Sequence, residues 1–386
     1  VTSPTTSSSR PVWPSAEAAI VRLNERATAL VDTEALARLL LRAESVASSK
    51  IEGLEVGPRR LLEAEAARQL GEPASDVTAA EVLGNIEAMV YAVNSAADGD
   101  EITVAQLLEV HRRLLDGSRL AASGGQIRTV QNWIGGSSYN PCSAAYVPPP
   151  PEYVGDLLTD LCRFCSDDSL PVLVQAALAH AQFETIHPFI DGNGRTGRAL
   201  VHLILRRRGL APRVLPPVSL VLATWATDYI SALDGTRSVG PSESERAYKG
   251  LNRWVGLFAT VCRRAVDDAA EFDERTRELE MAWRERLGPV RADSTADALL
   301  RALPGAPVLT VKSATALVGR SRVAVNQAIG RLTDAGVLTQ VTVGRRNRAF
   351  EARELIDAFV DLERRLASPR GDTRVAPPVR RVSRRR

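Results

Sequence analysis

Residues 187–198 read HPFIDGNGRTGR, and the interpretation of the whole chain turns on them. Their centre, GNGRTG, satisfies the G-x-G-x-x-G spacing of a dinucleotide cradle. That reading needs a strand before the glycines and an acidic residue about 20 positions beyond them. The preceding LVQAALAHAQFETI is an alanine-rich helical pattern, and neither Asp nor Glu occurs between Gly192 and Thr227. A P-loop is excluded too, because no Lys followed by Ser or Thr comes after the last glycine. A plain turn accounts for DGNG, but not for the His and two Arg around it.

Read physically, Gly192, Asn193 and Gly194 let the backbone turn tightly and open a helix. The unpaired N–H groups and positive dipole end of such a helix form an anion site. Arg195 and Arg198 share a face with His202 at i, i+3 and i+7. Two guanidiniums beside a helix N-terminus describe a polyphosphate clamp. Asp191, a single carboxylate beside phosphates, is what Mg²⁺ accepts from a protein. His187 is the imidazole placed to take a proton from an incoming nucleophile. The residues therefore point to hydroxyl attack on a nucleotide phosphate, without saying which phosphate.

The same twelve residues resemble the Fic family motif H-P-F-x-[DE]-G-N-G-R-x-x-R, with every specified position filled. GQIRTVQNWIGG followed by AYVPPPP is similar to that family's flap hairpin. The resemblance spans roughly residues 30–270 and implies an all-α Fic-fold helical core with a short β-hairpin flap. It implies a protein adenylyltransferase: His187 deprotonates a Ser, Thr or Tyr hydroxyl of a target protein, which attacks the α-phosphate of ATP. Asp191 would hold Mg²⁺, Asn193 and the Gly192 and Gly194 amides the α- and β-phosphates, and Arg195 and Arg198 the distal charge. Gln131, Asn132, Trp133 and Ile134 would align the target segment by strand addition. Family members that phosphorylate instead typically carry a lysine in the GNG segment, which this chain lacks.

Upstream, SSKIEG at 48–53 reads first as a helix ending at Gly53. An acid in that last turn, Glu52, faces the negative end of the dipole and asks for a cationic partner. Ser48, Glu52 and Gly53 also fit the family's inhibitory signature [ST]-x-x-x-E-[GN]. That resemblance implies that Glu52 pairs with Arg198, occupies the γ-phosphate position and holds activity down. The same glutamate could instead position water to remove AMP; the residues leave both open.

The rest of the chain divides by pattern. Residues 1–14 read as a disordered lead-in without the apolar core of a secretory signal. Residues 15–98 are helical by periodicity, and 99–286 hold the catalytic core and a helical extension. Within the core, residues 123–151 suggest an irregular hairpin, with β-type runs at 127–134 and 144–147 and a Pro-rich exit. Residues 290–367 give two short helices and a hairpin, the order of a winged helix-turn-helix. Its second helix offers Arg322, Asn326, Gln327 and Arg331, and its wing Arg345, Arg346 and Arg348, as candidate contacts to duplex DNA. A DNA-binding regulator with a secondary or inactive Fic part is thus the competing reading.

The chain's net charge of +3 conceals an asymmetry. Residues 369–386 carry seven arginines against one aspartate, so the remainder is net acidic and not a body that coats nucleic acid. That tail, 368–386, reads as disordered. Only three lysines occur, an Arg-for-Lys bias suggestive of a GC-rich bacterial genome. Four cysteines, including a lone C-x-x-C at 162–165, are too few for a disulfide scaffold and read as buried small hydrophobes in a reducing cytoplasm. No apolar run approaches a membrane span, so no membrane partner is expected. A homodimer is compatible with the sequence, which gives no interface for it.

Overall fold

The computed structural model describes residues 11–28, 33–69, 76–96, 99–136, 140–241, 243–343 and 347–366. The expected lead-in falls mainly on residues 1–10, outside the described residues. So do Arg345, Arg346 and the Arg-rich tail. The first helix already begins at Trp13, two positions before the boundary read from the sequence.

Four helices form the N-terminal part: α1 (Trp13–Thr28), α2 (Thr33–Ile51), α3 (Pro58–Gln69) and α4 (Val77–Asn94). The central helices follow with α5 (Val104–Leu115), α6 (Pro151–Ser166), α7 (Val172–Ile186) and α8 (Asn193–Arg207). Helix starts are chemically marked. Asp76 accepts from the Ala79 N–H at the head of α4, and Thr103 with Gln106 forms a reciprocal capping box at α5. α7 is apolar nearly all round and is the central helix; α8 packs beside it, with nearly all its side chains buried. Cys162 and Cys165 of α6 lie in the core, where burial pushes both thiols up, Cys162 to about 11.

α9 (Val218–Thr224), α10 (Ala226–Thr236) and the 43-residue α11 (Glu245–Leu287) close the far side. Trp254 of α11 is fully buried and donates its indole N–H to the Ala177 carbonyl of α7 at 2.7 Å, tying the long helix to the central one. Beyond it come α12 (Thr295–Ala302), β1 (Val308–Leu309), α13 (Val311–Val318), α14 (Arg322–Asp334), β2 (Thr339–Val343), β3 (Asn347–Glu351) and α15 (Arg353–Leu366). The three strands form one antiparallel sheet in the order β1-β3-β2, with Gln340 and Leu309 both opposite Phe350. The expected two helices and hairpin are therefore present. This part is not detached: its apolar residues continue the main core, and its 3-10 turn at Leu303–Gly305 packs on α2. No helix among the described residues is long and apolar enough to cross a membrane.

The flap departs from the two β-type runs expected at 127–134 and 144–147. Among the described residues its pairing is a single antiparallel bridge, Ile134 with Tyr146, and a 3-10 turn occupies Pro141–Ser143. Pro148 to Pro151 cannot donate to a ladder, and Gly135 and Gly136 at positive φ turn the chain immediately after Ile134.

Candidate functional site

The 187–198 loop joins two packed helices, and its shape comes from two left-handed residues. His187, at φ 49 and ψ 60, ends α7, and Gly192, at φ 78, precedes α8. A non-glycine residue in that region is uncommon and marks a segment held by its surroundings. The holders are visible. His111 of α5 stacks on Phe189 at 3.7 Å between ring centres. Its Nδ1 accepts from the Gly125 N–H at 3.0 Å and its Nε2 reaches the Asp191 carbonyl at 3.1 Å, so the ring is neutral with its proton on Nε2. Burial, opposed only weakly by that carbonyl, drops its pKa to about 4. Arg128 is buried and donates to the carbonyls of His187 (2.9 Å), Val130 and Pro149, pinning the flap's base to the loop.

Four groups converge at the head of α8. No side chain caps its N-terminus, so the first N–H groups remain free of a helical partner. Arg195 is buried and bonds Asp191 at 3.0 Å, while its Nε and Nη1 have no hydrogen-bond partner. Arg198, 1% exposed, donates from Nε to Ser48 Oγ (2.8 Å) and from Nη2 to the Ser48 carbonyl (2.9 Å) and Glu52 Oε1 (2.7 Å). His187 is partly buried, and burial first, then the Arg237 and Arg128 charges, lowers its pKa to about 4. It is therefore an uncharged imidazole at neutral pH.

Glu52 reaches this site from the end of α2. The helix stops as expected at Gly53, whose φ of 81 suits only glycine without strain, and Leu54 N–H returns to the Ser49 carbonyl at 3.1 Å. The carboxylate lies over the mouth of α8: a Cβ on Gly194 would stand 2.0 Å from Glu52 Oε1. Burial pushes the carboxyl up, but the Arg198 charge and hydrogen bond outweigh it, with help from Arg195 and His187, and hold it below its ordinary value. The fit is that of an anion already seated in an anion site.

Some expected residues sit differently. The Asn193 side chain points inward, accepting from Phe189 N–H at 2.9 Å and donating to the Phe189 carbonyl at 2.8 Å, so it offers a phosphate its backbone N–H. His202 shares the helix with Arg195 and Arg198 but is fully buried against Glu44 of α2, at 2.8 Å. Gln131 donates to the carbonyls of Asn132 and Pro148 and stays exposed, while Trp133 and Ile134 are half-buried. Asp191 is half-exposed, and no group of three or more potential metal ligands occurs among the described residues.

Sequence reasoning missed the support around the site: His111, Arg128, Glu184, Tyr229 and Arg237. Glu184, buried behind Arg198, is raised to about 7 by burial against the Arg198 charge. Tyr229 is fully enclosed, its hydroxyl 2.7 Å from His180 Nε2. For Glu184 the advance signal was a polar residue on the otherwise apolar α7; the other four lie on other segments.

Residues 101–205 match the Fic/DOC family model, and residues 12–94 match the model of the Fic/DOC family N-terminal region. The chain carries a Fic domain preceded by a Fic N-terminal region. Its fold is similar to a Fic family protein from Desulfovibrio desulfuricans, with a TM-score of 0.54 and 21% identity, over 91% of this chain and 98% of that one. It is also similar to Fic-1 from Caenorhabditis elegans, with a TM-score of 0.50 and 23% identity, over 68% and 73% of the two chains. By sequence, the protein adenylyltransferase fic-1 of C. elegans is 33% identical over 164 residues, 42% of this chain and 30% of that protein. The protein adenylyltransferase Fic of Drosophila grimshawi is 40% identical over 142 residues, 35% of this chain and 27% of that protein. The chain thus spans less than a third of the length of these curated relatives.

Proposed function

We propose that this Fic protein transfers AMP from ATP to a hydroxyl side chain of a target protein, and that Glu52 holds the activity down. The observation that carries the reading is the carboxylate of Glu52 seated between Arg198 and Gly194 at an uncapped helix N-terminus. A site that binds a carboxylate in this way is complementary to phosphate oxygens. The unpartnered buried Nε and Nη1 of Arg195 support a ligand richer in acceptors than Glu52.

In the reaction the target hydroxyl loses its proton to neutral His187, and its oxygen forms a bond to the α-phosphorus. The bond from that phosphorus to the bridging oxygen breaks, pyrophosphate leaves, and the proton passes from His187 to solvent. The head of α8 and the two guanidiniums hold the polyphosphate. The flap residues Gln131 to Ile134 align the target. Asp191, a lone and half-exposed carboxylate, fits a Mg²⁺ ion that arrives with the nucleotide, where it would neutralise phosphate charge.

The test is label transfer from ATP onto protein, with label in the α- or the γ-phosphate, for wild type, Glu52→Gly and Glu52→Gly/His187→Ala. Transfer from the α position that rises with Glu52→Gly and vanishes with His187→Ala supports the reading. Transfer from the γ position, or none, overturns it.

The element order from α12 to α15 supports a second reading, of a winged helix that contacts duplex DNA. Arg322, Asn326, Gln327 and Arg331 are exposed on α14, and Arg348 is exposed on β3. An acidic body with a local basic face suits docking on phosphates at low salt. The cytoplasm is the compartment in which ATP, a protein target and DNA would all be met.

A further inference from the structure

We propose that Asn132, on the flap, is a positioning residue that fixes the tautomer of His187 and thereby links target docking to the proton acceptor. The proposal deepens the adenylyl-transfer reading and rests on it. Two side-chain amides meet the same imidazole nitrogen: Asn132 Nδ2 lies 3.1 Å from His187 Nδ1, and Asn193 Nδ2 lies 3.2 Å from it. Neither amide is free to present its oxygen. Both nitrogens also donate to the Phe189 carbonyl, at 2.9 and 2.8 Å, and Asn193 Oδ1 accepts from the Phe189 N–H. A carbonyl acceptor selects the NH₂ end of each amide, so orientation follows from the backbone and not from choice.

Two NH₂ groups facing one ring nitrogen require that nitrogen to carry a lone pair. His187 Nδ1 is thus an acceptor, and a neutral ring then keeps its proton on Nε2. With Nδ1 occupied by two donors and Nε2 protonated, the ring of the resting site has no free lone pair for a target hydroxyl. Freeing Nε2 as the base requires Nδ1–H, and Nδ1–H requires an acceptor in place of an amide NH₂. The structure holds that acceptor nearby: Asn132 Oδ1 is buried without a hydrogen-bond partner. Asn193 cannot supply it while both its ends are committed to Phe189. Asn132 can, because its backbone belongs to the flap, next to the Ile134–Tyr146 bridge. When a target segment pairs with the flap and turns this amide, Nε2 gives its proton to solvent and Nδ1 takes one from solvent. Nδ1–H···Oδ1 then replaces the longer Asn193 Nδ2 contact of 3.2 Å, and Nε2 is free to accept the target's proton.

The charged groups that act on the ring are Arg237, Arg128, Glu52 and Asp191, so a carboxylate at position 132 would add a fifth and nearest charge. The experiment records the ¹⁵N spectrum of histidine-labelled full chain, in which only four histidines occur, with His187→Ala giving the assignment. Wild type is expected to show Nε2–H at His187. Asn132→Asp is expected to show Nδ1–H, or a doubly protonated ring near neutral pH, and in the Glu52→Gly background to move the acid limb of the transfer rate upward by at least about one pH unit. Asn132→Ala in that background is expected to lower kcat at least about fivefold with KM for ATP within about twofold. Nδ1–H in the wild type, or ring shifts and an acid limb that Asn132→Asp leaves unchanged, overturns the proposal. The wild-type tautomer decides even if the variants fold poorly. It also decides if no variant transfers label from ATP, an outcome that would sink the adenylyl-transfer reading instead.

Discussion

Arg198 and Glu52 stand 146 positions apart in the chain and meet at 2.7 Å across the entrance to α8. Ser48 completes the arrangement, giving Arg198 both its hydroxyl and its carbonyl. The guanidinium is thereby saturated on one side by α2, and burial opposed by the Glu52 charge leaves its own proton held more tightly than usual. Under the proposed function, a nucleotide would have to displace the carboxylate before its distal phosphates could reach Arg198.

Glu52→Gly is accordingly expected to raise AMP transfer by at least about tenfold, because the competing anion is removed while the helix head and both arginines remain. Ser48→Ala should give a smaller rise, since it removes one hydrogen bond but leaves the charge. Initial rates with α-labelled ATP measure both. Equal rates for wild type and Glu52→Gly would show that the carboxylate does not restrain the site.

The pH profile of Glu52→Gly should lack a histidine limb between pH 8 and 5. His187 is held to about 4 by burial and by Arg237 and Arg128, and loss of Glu52 removes one of the charges that raise it. The base therefore stays uncharged until the solution is more acidic than pH 4 to 5. A rate that halves near pH 6.5 would place the ring in ordinary solvent.

Stability should fall as pH drops from 6.5 to 4. His111 and His187 are depressed to about 4 and His180 to about 3, all by burial first. In that window the unfolded chain binds more protons than the folded one, so acid favours unfolding, by up to about 1.4 kcal/mol per unit of depression. Glu184, raised to about 7, acts in the opposite sense: between 4.5 and 7 the folded chain binds its proton more tightly, and stability falls as pH rises. Glu184→Gln should therefore steepen the rise of Tm between pH 4.5 and 7. A Tm that is flat across the series in both proteins would contradict the burial argument.

Gly194→Ala tests the seat of the carboxylate directly. Its Cβ would lie 2.0 Å from Glu52 Oε1 and 2.9 Å from Arg198 Nη1. In the wild type Glu52 must move aside and its bond to Arg198 weakens. In Glu52→Gly that conflict is gone, and alanine's better helix propensity contributes up to about 1 kcal/mol. Urea unfolding of the four proteins should give a coupling of about 1 kcal/mol or more. Additive effects would mean that Glu52 does not occupy this position.

For the C-terminal unit, fluorescence anisotropy with a short duplex should show binding that weakens steeply with salt. Arg322→Ala and Arg331→Ala should each lower the salt slope by about one. Binding that ignores salt, or that survives both substitutions unchanged, would remove DNA from the reading.

Much of the fold was legible because helices announce themselves locally. The apolar spacing in α5, with Thr103 and Gln106 closing its head, needs no distant information. So too with Gly53 and the end of α2, and with the two helices and hairpin between Val311 and Glu351. The irregular hairpin read at 123–151 pairs, among the described residues, at one bridge between its two runs, because Val, Ile and Tyr suit strands by propensity while Gly135, Gly136 and the prolines limit what can pair. His202 was placed on the clamp's face by its spacing. It turns instead against Glu44, because a helix buried on nearly every side has no single functional face.

The sequence by itself determined which groups the 187–198 loop carries, since its imidazole, glycines and guanidiniums lie within twelve positions and helix polarity sets what they can attract. Tertiary structure decided what that chemistry faces. Arg128, His111 and Asn132 come from segments 55 or more positions away to hold the backbone and ring of the loop. Their side chains show no periodicity that would mark them, because each acts through a few directional hydrogen bonds to distant groups. Such a bond depends on where two distant backbones come to rest, which packing sets and local sequence does not.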